Sequence, residues 1–265
     1  MTGVQTCALP IYDVARFLVA SDPRDSDMEP QRISIAKVSG VRELDLDIIL
    51  PTARFSSTPV KEILDHNIDR IKELVEAHNT TLVFVNTRNM TETVVQRLKI
   101  AGLEGVEGHH GSMDKTIRLD VEHRLKNGLL RAVVSSSSLE LGIDIGSVDL
   151  VIQLGSPGSI STALQRVGRA SHQVGGIPRA RFLPTSPHDL LELVAVQTGI
   201  LRGSMDLLKF PENCLDVLAQ FVIGLSIIRE WDIDEGYELV TSSWPYRSLP
   251  RSEEHTSELQ SRTNL

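Results

Sequence analysis

The sequence predicts an α/β fold built on a parallel, doubly wound sheet, and three observations carry that expectation. Short unbroken apolar runs recur at Thr81–Val85, Ala132–Val134 and Leu150–Leu154, the pattern of strands covered on both faces. Apolar residues at helical spacing fill the intervals, as in Ile63, Leu64, Ile68, Ile71, Leu74 and Val75. Strand and helix signals then alternate along the chain, which is how parallel sheets are wound.

Each element follows from local chemistry. Asp13–Leu18 reads as the last turn of a helix, and Ser21–Pro30 (SDPRDSDMEP) as a proline-punctuated loop. Leu44–Leu50 alternates leucine and aspartate, the mark of a strand with one wet face. Pro51–Pro59 is a connection, Val60–Ala77 an amphipathic helix, Thr81–Val85 a strand and Thr91–Leu98 the helix after it. Val106–His109 is a short strand, and Asp114–Asn127 a helix closed by Gly128. Arg131–Ser135 and Leu150–Leu154 are strands, and Gly155-Ser156-Pro157-Gly158-Ser159 is a loop leading to a helix N-cap. Arg179–Pro184 is a strand and Asp189–Leu201 a helix. Beyond Pro211 the composition shifts to two helices, a strongly amphipathic Leu215–Trp231 and then Ile233–Ser243.

The ends stand apart from this pattern. Arg251–Ser261 (RSEEHTSELQS) is what a sequencing-adapter string encodes, and the reverse complement of that string, preceded by one A, encodes Met1–Ile11. Residues 1–12 and 251–265 are therefore expected to be adapter-derived, and the chain between them a piece of a longer gene. With Cys7 set aside, Cys214 stands alone, which excludes a disulfide framework and a cysteine-rich metal site and suits a reducing cytoplasm. No apolar run approaches the ~18 residues of a membrane span. With 27 Lys+Arg against 35 Asp+Glu the chain is acidic, which argues against a simple basic coat for nucleic acid but leaves room for a locally basic channel.

Chemistry concentrates between Arg131 and His172. In an open α/β sheet, ligands lie outside the carboxyl ends of the strands. Hydroxyls from Ser135 to Ser138, then Asp144, Arg166 and Arg169, all follow such ends. No Asp or Glu lies between Asp149 and Asp189, whereas Arg166, Arg169, Arg179 and Arg181 do, so the stretch is expected to face an anion. Arg166 and Arg169 are three apart, on one face if Ser159 or Ser161 starts a helix. Two solvated surface arginines are the plain alternative. Gly168 between them argues against it, since a mid-helix glycine costs about 1 kcal/mol unless another backbone or a phosphate comes close. This reading requires both guanidiniums to clear the lobe's own acids.

Other constellations are weaker. His109-His110 lacks a completing carboxylate or cysteine at metal-ligand spacing, so no metal is expected there. The four serines suggest a nucleophile, but no G-x-S-x-G elbow and no paired base accompany them. No G-x-x-x-x-G-K-[ST] occurs, and Asp234-Glu235 follows no apolar strand, so neither a P-loop nor a Walker B acid is expected in this chain. Trp244-Pro245-Tyr246 reads as small-domain packing before it reads as a base-stacking surface.

Five blocks in order resemble the second RecA-like lobe (a P-loop NTPase fold) of superfamily 2 helicases, most closely the large helicase-related, Lhr-type branch. Leu82-Val83-Phe84-Val85-Asn86-Thr87-Arg88 is similar to motif IV, and His109-His110-Gly111-Ser112 to the segment before motif V. Ser137-Ser138-Leu139-Glu140-Leu141-Gly142-Ile143-Asp144 is similar to motif V, and Gln165-Arg166-Val167-Gly168-Arg169-Ala170-Ser171-His172 to motif VI. Leu215-Asp216-Val217-Leu218-Ala219-Gln220 resembles the start of a winged helix. The resemblance implies a RecA-like lobe at 51–205, the end of a first lobe and a linker at 13–50, and a truncated all-α winged-helix start at 206–250. It implies Arg169 as the arginine finger on the γ-phosphate of ATP, Arg166 beside it on phosphate, and Gln165 aiding the attacking water. Gly142 and Asp144 would lie at the ribose edge. Asn86, Thr87, Arg88, His110, Gly111, Ser112, Ser136 and Ser137 would line a DNA or RNA strand, Ser136 standing where the family has threonine. Ser171 departs from the family's glycine. ATP and Mg²⁺ are implied, the metal held mainly by a first lobe of the same chain, and no membrane. The implied function is the C-terminal lobe of an ATP-dependent helicase or translocase, inactive as a fragment. The alternatives are a catalytically dead nucleic-acid remodeller, or the motor of another superfamily 2 translocase.

Overall fold

The computed structural model describes residues 11–19, 43–52, 55–140, 145–170, 176–206 and 209–251. They form two compact units, 43–206 and, separately, 11–19 with 209–251. The Ser21–Pro30 loop, Gly142, Asp144, Ser171, His172 and nearly all of both adapter-like tails lie outside the described residues.

The first unit is a six-stranded parallel sheet in the order β1-β6-β5-β2-β4-β3. The strands are β1 (Asp45–Ile48), β2 (Thr81–Phe84), β3 (Val106–His109), β4 (Ala132–Ser135), β5 (Leu150–Leu154) and β6 (Arg179–Leu183). Side chains alternate across a strand, so β2 sends Leu82 and Phe84 to one face and Val83 with the following Val85 to the other. The first face is covered by α4 (Lys115–Lys126), α5 (Ile160–Val167) and α6 (Pro187–Leu201), through Val121, Leu125, Ala163, Val167, Leu193 and Val196. The second is covered by α2 (Val60–Glu76) and α3 (Arg88–Ile100), through Ile68, Ile71, Val75, Val94 and Leu98. The central strands are buried end to end, which is why they read as unbroken apolar runs rather than alternating ones.

Polar side chains fix where the helices begin. Thr87 caps α3 by accepting from Met90 N, Asp114 caps α4 from Thr116 N, Ser159 caps α5 from Thr162 N, and Ser186 caps α6 from Asp189 N. The Thr87 cap starts α3 three residues before the expected Thr91, so Arg88 opens a helix.

Two further differences concern the early chain. The stretch expected to close a preceding lobe contains β1, which pairs with β6 as the sheet's edge strand. Asp45 explains the placement: its carboxylate takes Arg181 Nη1 at 2.7 Å and Nη2 at 3.1 Å, with Arg179 Nε 3.8 Å away. That arginine hold keeps the Asp45 carboxyl below its ordinary value despite partial burial. The helix α1 (Ile11–Val19) falls in the second unit, where Phe17 stacks on Phe210 with ring centroids 4.6 Å apart.

The second unit also holds α7 (Leu215–Ile228) and α8 (Ile233–Thr241). Asp232 caps α8, and Asp234 and Glu235 sit in its first turn, Glu235 paired with Arg229. Contrary to expectation, α7 is apolar on nearly every side rather than amphipathic, and none of its residues is buried. A 3₁₀ turn at Trp244–Tyr246 follows, and Tyr246 Oη donates to Cys214 O at 2.8 Å. No helix among the described residues is long and apolar enough to cross a membrane.

Candidate functional site

The carboxyl ends of β2, β3, β4 and β5 lie along one edge of the sheet, and the loops that leave them carry most of the residues singled out from the sequence. Asn86 and Thr87 follow β2 and are exposed. Asn86 Nδ2 donates to Ser156 O at 2.8 Å, tying the β2 loop to the β5 loop. Gly155 allows this approach: it has φ +79°, and a Cβ there would stand 3.3 Å from Asn86 Nδ2.

The β2 and β3 loops also meet. Arg88 Nη1 donates to Ser112 Oγ at 2.7 Å, so two blocks 24 residues apart share one exposed patch. Gly111 and Ser112 are exposed there, but His110 is not. Its ring is buried, with Nε2 3.4 Å from Glu92 and Nδ1 enclosed with no partner. The expectation that His110 touches a strand directly is corrected by that inward turn.

His109 is buried more deeply, at 1% exposure, with Nε2 2.9 Å from Glu122 and Nδ1 2.6 Å from Ser138 Oγ. Burial pushes its pKa below the ordinary histidine value, partly offset by Glu122. A neutral ring with Nε2–H on Glu122 leaves Nδ1 as an acceptor beside Ser138 Oγ, whose one proton is shared with the His109 main-chain oxygen at 3.0 Å. The serine run therefore has an imidazole within hydrogen-bond reach, which the sequence reading did not find. The imidazole is sealed from any substrate, so the pair is a tie between the β3 and β4 loops. Ser136 and Ser137 flank that tie, half-buried and exposed respectively.

The arginines behave differently from one another. Arg166, in the last turn of α5, is 6% exposed. Its Nε donates to Glu140 Oε1 at 2.8 Å, and Nη2 reaches the same oxygen. Nη1 donates to Gln153 Oε1 at 2.6 Å, Nη2 lies 3.4 Å from Ser136 O, and the guanidinium stands 5.1 Å from the centre of the Phe84 ring. The requirement that both guanidiniums clear the lobe's own acids fails here. A buried guanidinium needs acceptors on several sides, and Glu140 with Gln153 supplies them. Arg181 is likewise turned to Asp45, with the exposed Arg179 3.8 Å from the same carboxylate, so part of the expected anion-facing charge is answered by carboxylates from other parts of the chain.

Arg169 lies beyond α5. The helix stops at Val167, and Gly168 is its C-cap with an ordinary right-handed φ of −60°, so the cost argued for a mid-helix glycine does not arise. Arg169 is half-buried, and its Nε and Nη2 donate to the main-chain oxygen of Glu140 at 3.1 and 2.7 Å. Burial lowers its pKa from the usual arginine value without discharging it. Gln165, half-buried, precedes the pair on α5.

Sequence reasoning gave no role to Glu140 and Gln153. Gln153 had a signal, an amide inside the apolar strand LVIQL that must find partners once buried. Glu140 had a fainter one, a single carboxylate between leucines after a run of serines.

A family model described as the helicase conserved C-terminal domain matches residues 64–173, and one described as the large helicase-related protein winged helix domain matches 198–260. The chain belongs to the Lhr-type superfamily 2 helicases. This Lhr-type region is 42% identical over 251 residues to the ATP-dependent helicase Lhr-Core of Methanocaldococcus jannaschii, covering 95% of the chain and 29% of that relative. It is 37% identical to the Lhr helicase/uracil glycosylase of Escherichia coli, covering 94% of the chain and 19% of the relative. Among solved structures it matches Mycobacterium smegmatis helicase Lhr bound to ssDNA and AMP-PNP, with a TM-score of 0.80, 38% identity, and coverage of 92% of this chain and 31% of that one. Yeast Dbp5 bound to RNA and ADP BeF3, at 19% identity and a TM-score of 0.50 over 69% of this chain and 45% of that one, shares the fold. The Lhr-type region thus spans less than a third of the length of these Lhr relatives.

Proposed function

We propose that this region is the C-terminal motor lobe of an ATP-dependent helicase or translocase acting on a DNA or RNA strand, in a protein whose other RecA-like lobe holds the P-loop. One observation carries the reading: the Arg88–Ser112 patch and the Arg169 guanidinium are presented along the same carboxyl edge of the sheet. A strand backbone is met by hydroxyls and arginine at one end of that edge, through Thr87, Arg88, Gly111, Ser112, Ser136 and Ser137. A triphosphate held by the other lobe is met by Arg169 at the other end.

In this reading Arg169 leaves the Glu140 carbonyl for the γ-phosphate, where its fork neutralises charge that grows in the transition state. Gln165 orients the attacking water. Arg166 stays in its pocket and shapes the site without touching phosphate. Gly142 and Asp144 are kept in the proposal at the ribose edge on the strength of the resemblance alone. Magnesium fits this lobe poorly, because Glu140, the carboxylate beside the arginines, is committed to Arg166. Its ligands are assigned to the other lobe and the phosphates. The setting is the cytoplasm, which suits the free thiol of Cys214.

The test is ATP turnover by the full-length protein with and without strand. Strand-stimulated hydrolysis is expected, and Arg169→Ala removes it while strand affinity stays within a few fold. Wild-type turnover in Arg169→Ala overturns the assignment.

A further inference from the structure

The sheet ladder stops where the exposed turns begin. His109 and Ser135 are the last paired residues of β3 and β4, and past them the chain enters the turns that carry Gly111 with Ser112 and Ser136 with Ser137. Met113 N closes the first on His110 O at 3.1 Å, and Glu140 N closes the second on Ser137 O at 3.1 Å. Each of these bonds lies within one turn and leaves the distance between the turns open. A buried polar cluster closes that gap. Glu122, on α4, lies 2.9 Å from His109 Nε2, which fixes the ring and presents Nδ1 to Ser138 Oγ at 2.6 Å. Ser138 Oγ also lies 3.0 Å from His109 O and 3.2 Å from Ser135 Oγ. Apolar packing alone would hold these chains together without direction, whereas hydrogen bonds fix an angle as well as a distance.

We propose that His109 and Glu122 are positioning residues of the strand interface: acting through Ser138, they set the spacing between the Gly111–Ser112 turn and the Ser136–Ser137 turn, so that one run of phosphates meets donors from both. Neither residue touches the strand. Phosphate contacts fix the register of a nucleic acid on a protein, and two sets of donors share one backbone only if their separation is held. Donors held in place before binding also spare the ordering cost that loose turns would incur. The arrangement explains why a histidine is sealed from solvent directly beside an exposed polar turn. This inference rests on the reading of those turns as strand-facing.

The test is made in the full-length protein, with single-strand Kd read by fluorescence anisotropy and ATP turnover titrated with strand to saturation. Glu122→Ala raises Kd, and the strand concentration for half-maximal turnover, by roughly 5- to 20-fold, the scale of one or two lost phosphate hydrogen bonds. Turnover at saturating strand stays near wild type. A role in stability alone would do the reverse, lowering the active fraction and so the saturated rate while the folded fraction kept its Kd. Glu122→Gln keeps an oxygen for His109 Nε2–H and stays close to wild type in both readings. Ser138→Ala gives a loss of the same order as Glu122→Ala, and none further in the Glu122→Ala background, because both act through one tie. If Glu122→Ala does not fold, Ser138→Ala, which removes only a hydroxyl, carries the same expectation. Unchanged Kd in folded Glu122→Ala or Ser138→Ala overturns the inference, as do additive losses in the double variant or a loss in Glu122→Gln equal to that in Glu122→Ala. Arg88→Ala separates the two levels. Weakened strand binding there beside a normal Ser138→Ala removes only the positioning role, whereas normal binding in Arg88→Ala removes the strand reading of this patch as well.

Discussion

Replacing Arg166 by alanine is expected to destabilise the sheet unit more than any exposed arginine substitution. The guanidinium side chain is 7% exposed and that of Glu140 is 15% exposed, so removing the cation strands a carboxylate that water scarcely reaches. Gln153 Oε1 loses its donor at the same time, and the amide cannot rotate to recover, because Nε2 is already given to Leu154 O and Gly155 O. Breaking one side of a buried ion pair costs about 3–5 kcal/mol, and an orphaned buried acceptor about 1–3 kcal/mol. The two losses share one cause and do not sum, so ~4 kcal/mol is expected. For a unit of this size each kcal/mol moves the midpoint by roughly 2–4 °C, which predicts a fall of about 8–16 °C. Differential scanning calorimetry of the 265-residue chain reads it directly. The triple change Arg166→Met, Glu140→Leu, Gln153→Leu removes the whole polar set and is expected to return most of the loss, as buried ion pairs replaced by packed apolar groups do. A loss under about 1 kcal/mol in Arg166→Ala would mean the pair behaves as a solvated surface bridge, and the account of a locked Arg166 would fall.

Further outcomes follow from the same structure. The 265-residue chain alone is expected to show no ATP turnover in a phosphate-release assay, since it carries no G-x-x-x-x-G-K-[ST]; turnover abolished by Arg169→Ala would contradict the two-lobe site. In the full-length protein Arg169→Lys is expected to lose roughly 10³-fold or more in kcat, because a point charge cannot make the fork's two bonds; near-normal kcat would contradict the finger. Burial holds His109 below its ordinary value, so its contribution to stability is present above about pH 6.5 and is lost as pH falls through the lower folded value. Thermal midpoints should therefore drop on acidification below that pH, and drop less in His109→Gln; equal slopes would contradict the buried neutral ring. Gly146 has φ +80°, and a Cβ there would stand 2.9 Å from Lys126 O, so Gly146→Ala is expected to cost about 1–2 kcal/mol in chemical denaturation, and a neutral effect would contradict the backbone there.

Much of the fold could be read from the chain because its strands are buried on both faces. Thr81–Phe84 and Leu150–Leu154 fall where the apolar runs placed them, and the Ser159 cap starts α5 as expected. The site was read less well. Spacing put Arg166 and Arg169 on one helical face, but the helix ends between them, and spacing cannot tell which side chain finds a carboxylate 26 residues earlier. The absence of acids from 150–188 likewise looked like an anionic-ligand surface, because the balancing carboxylates, Asp45 and Glu140, are distant in sequence and near in space. Adjacent His109 and His110 gave no hint that both turn inward, since a histidine's burial is decided by its partners, here Glu122, Ser138 and Glu92. Periodicity also overstated the amphipathic character of α7, whose polar residues are too few to form a face.

The central claim is a division of labour between two arginines three residues apart, and a structure of the full-length protein with strand and a non-hydrolysable ATP analogue addresses it most directly. The account predicts Arg169 with its fork on the γ-phosphate at about 2.7–2.9 Å, released from the Glu140 carbonyl, while Arg166 remains on the Glu140 carboxylate. Arg166 on the phosphate with Glu140 set free, or Arg169 still on the carbonyl in a closed complex, would contradict it.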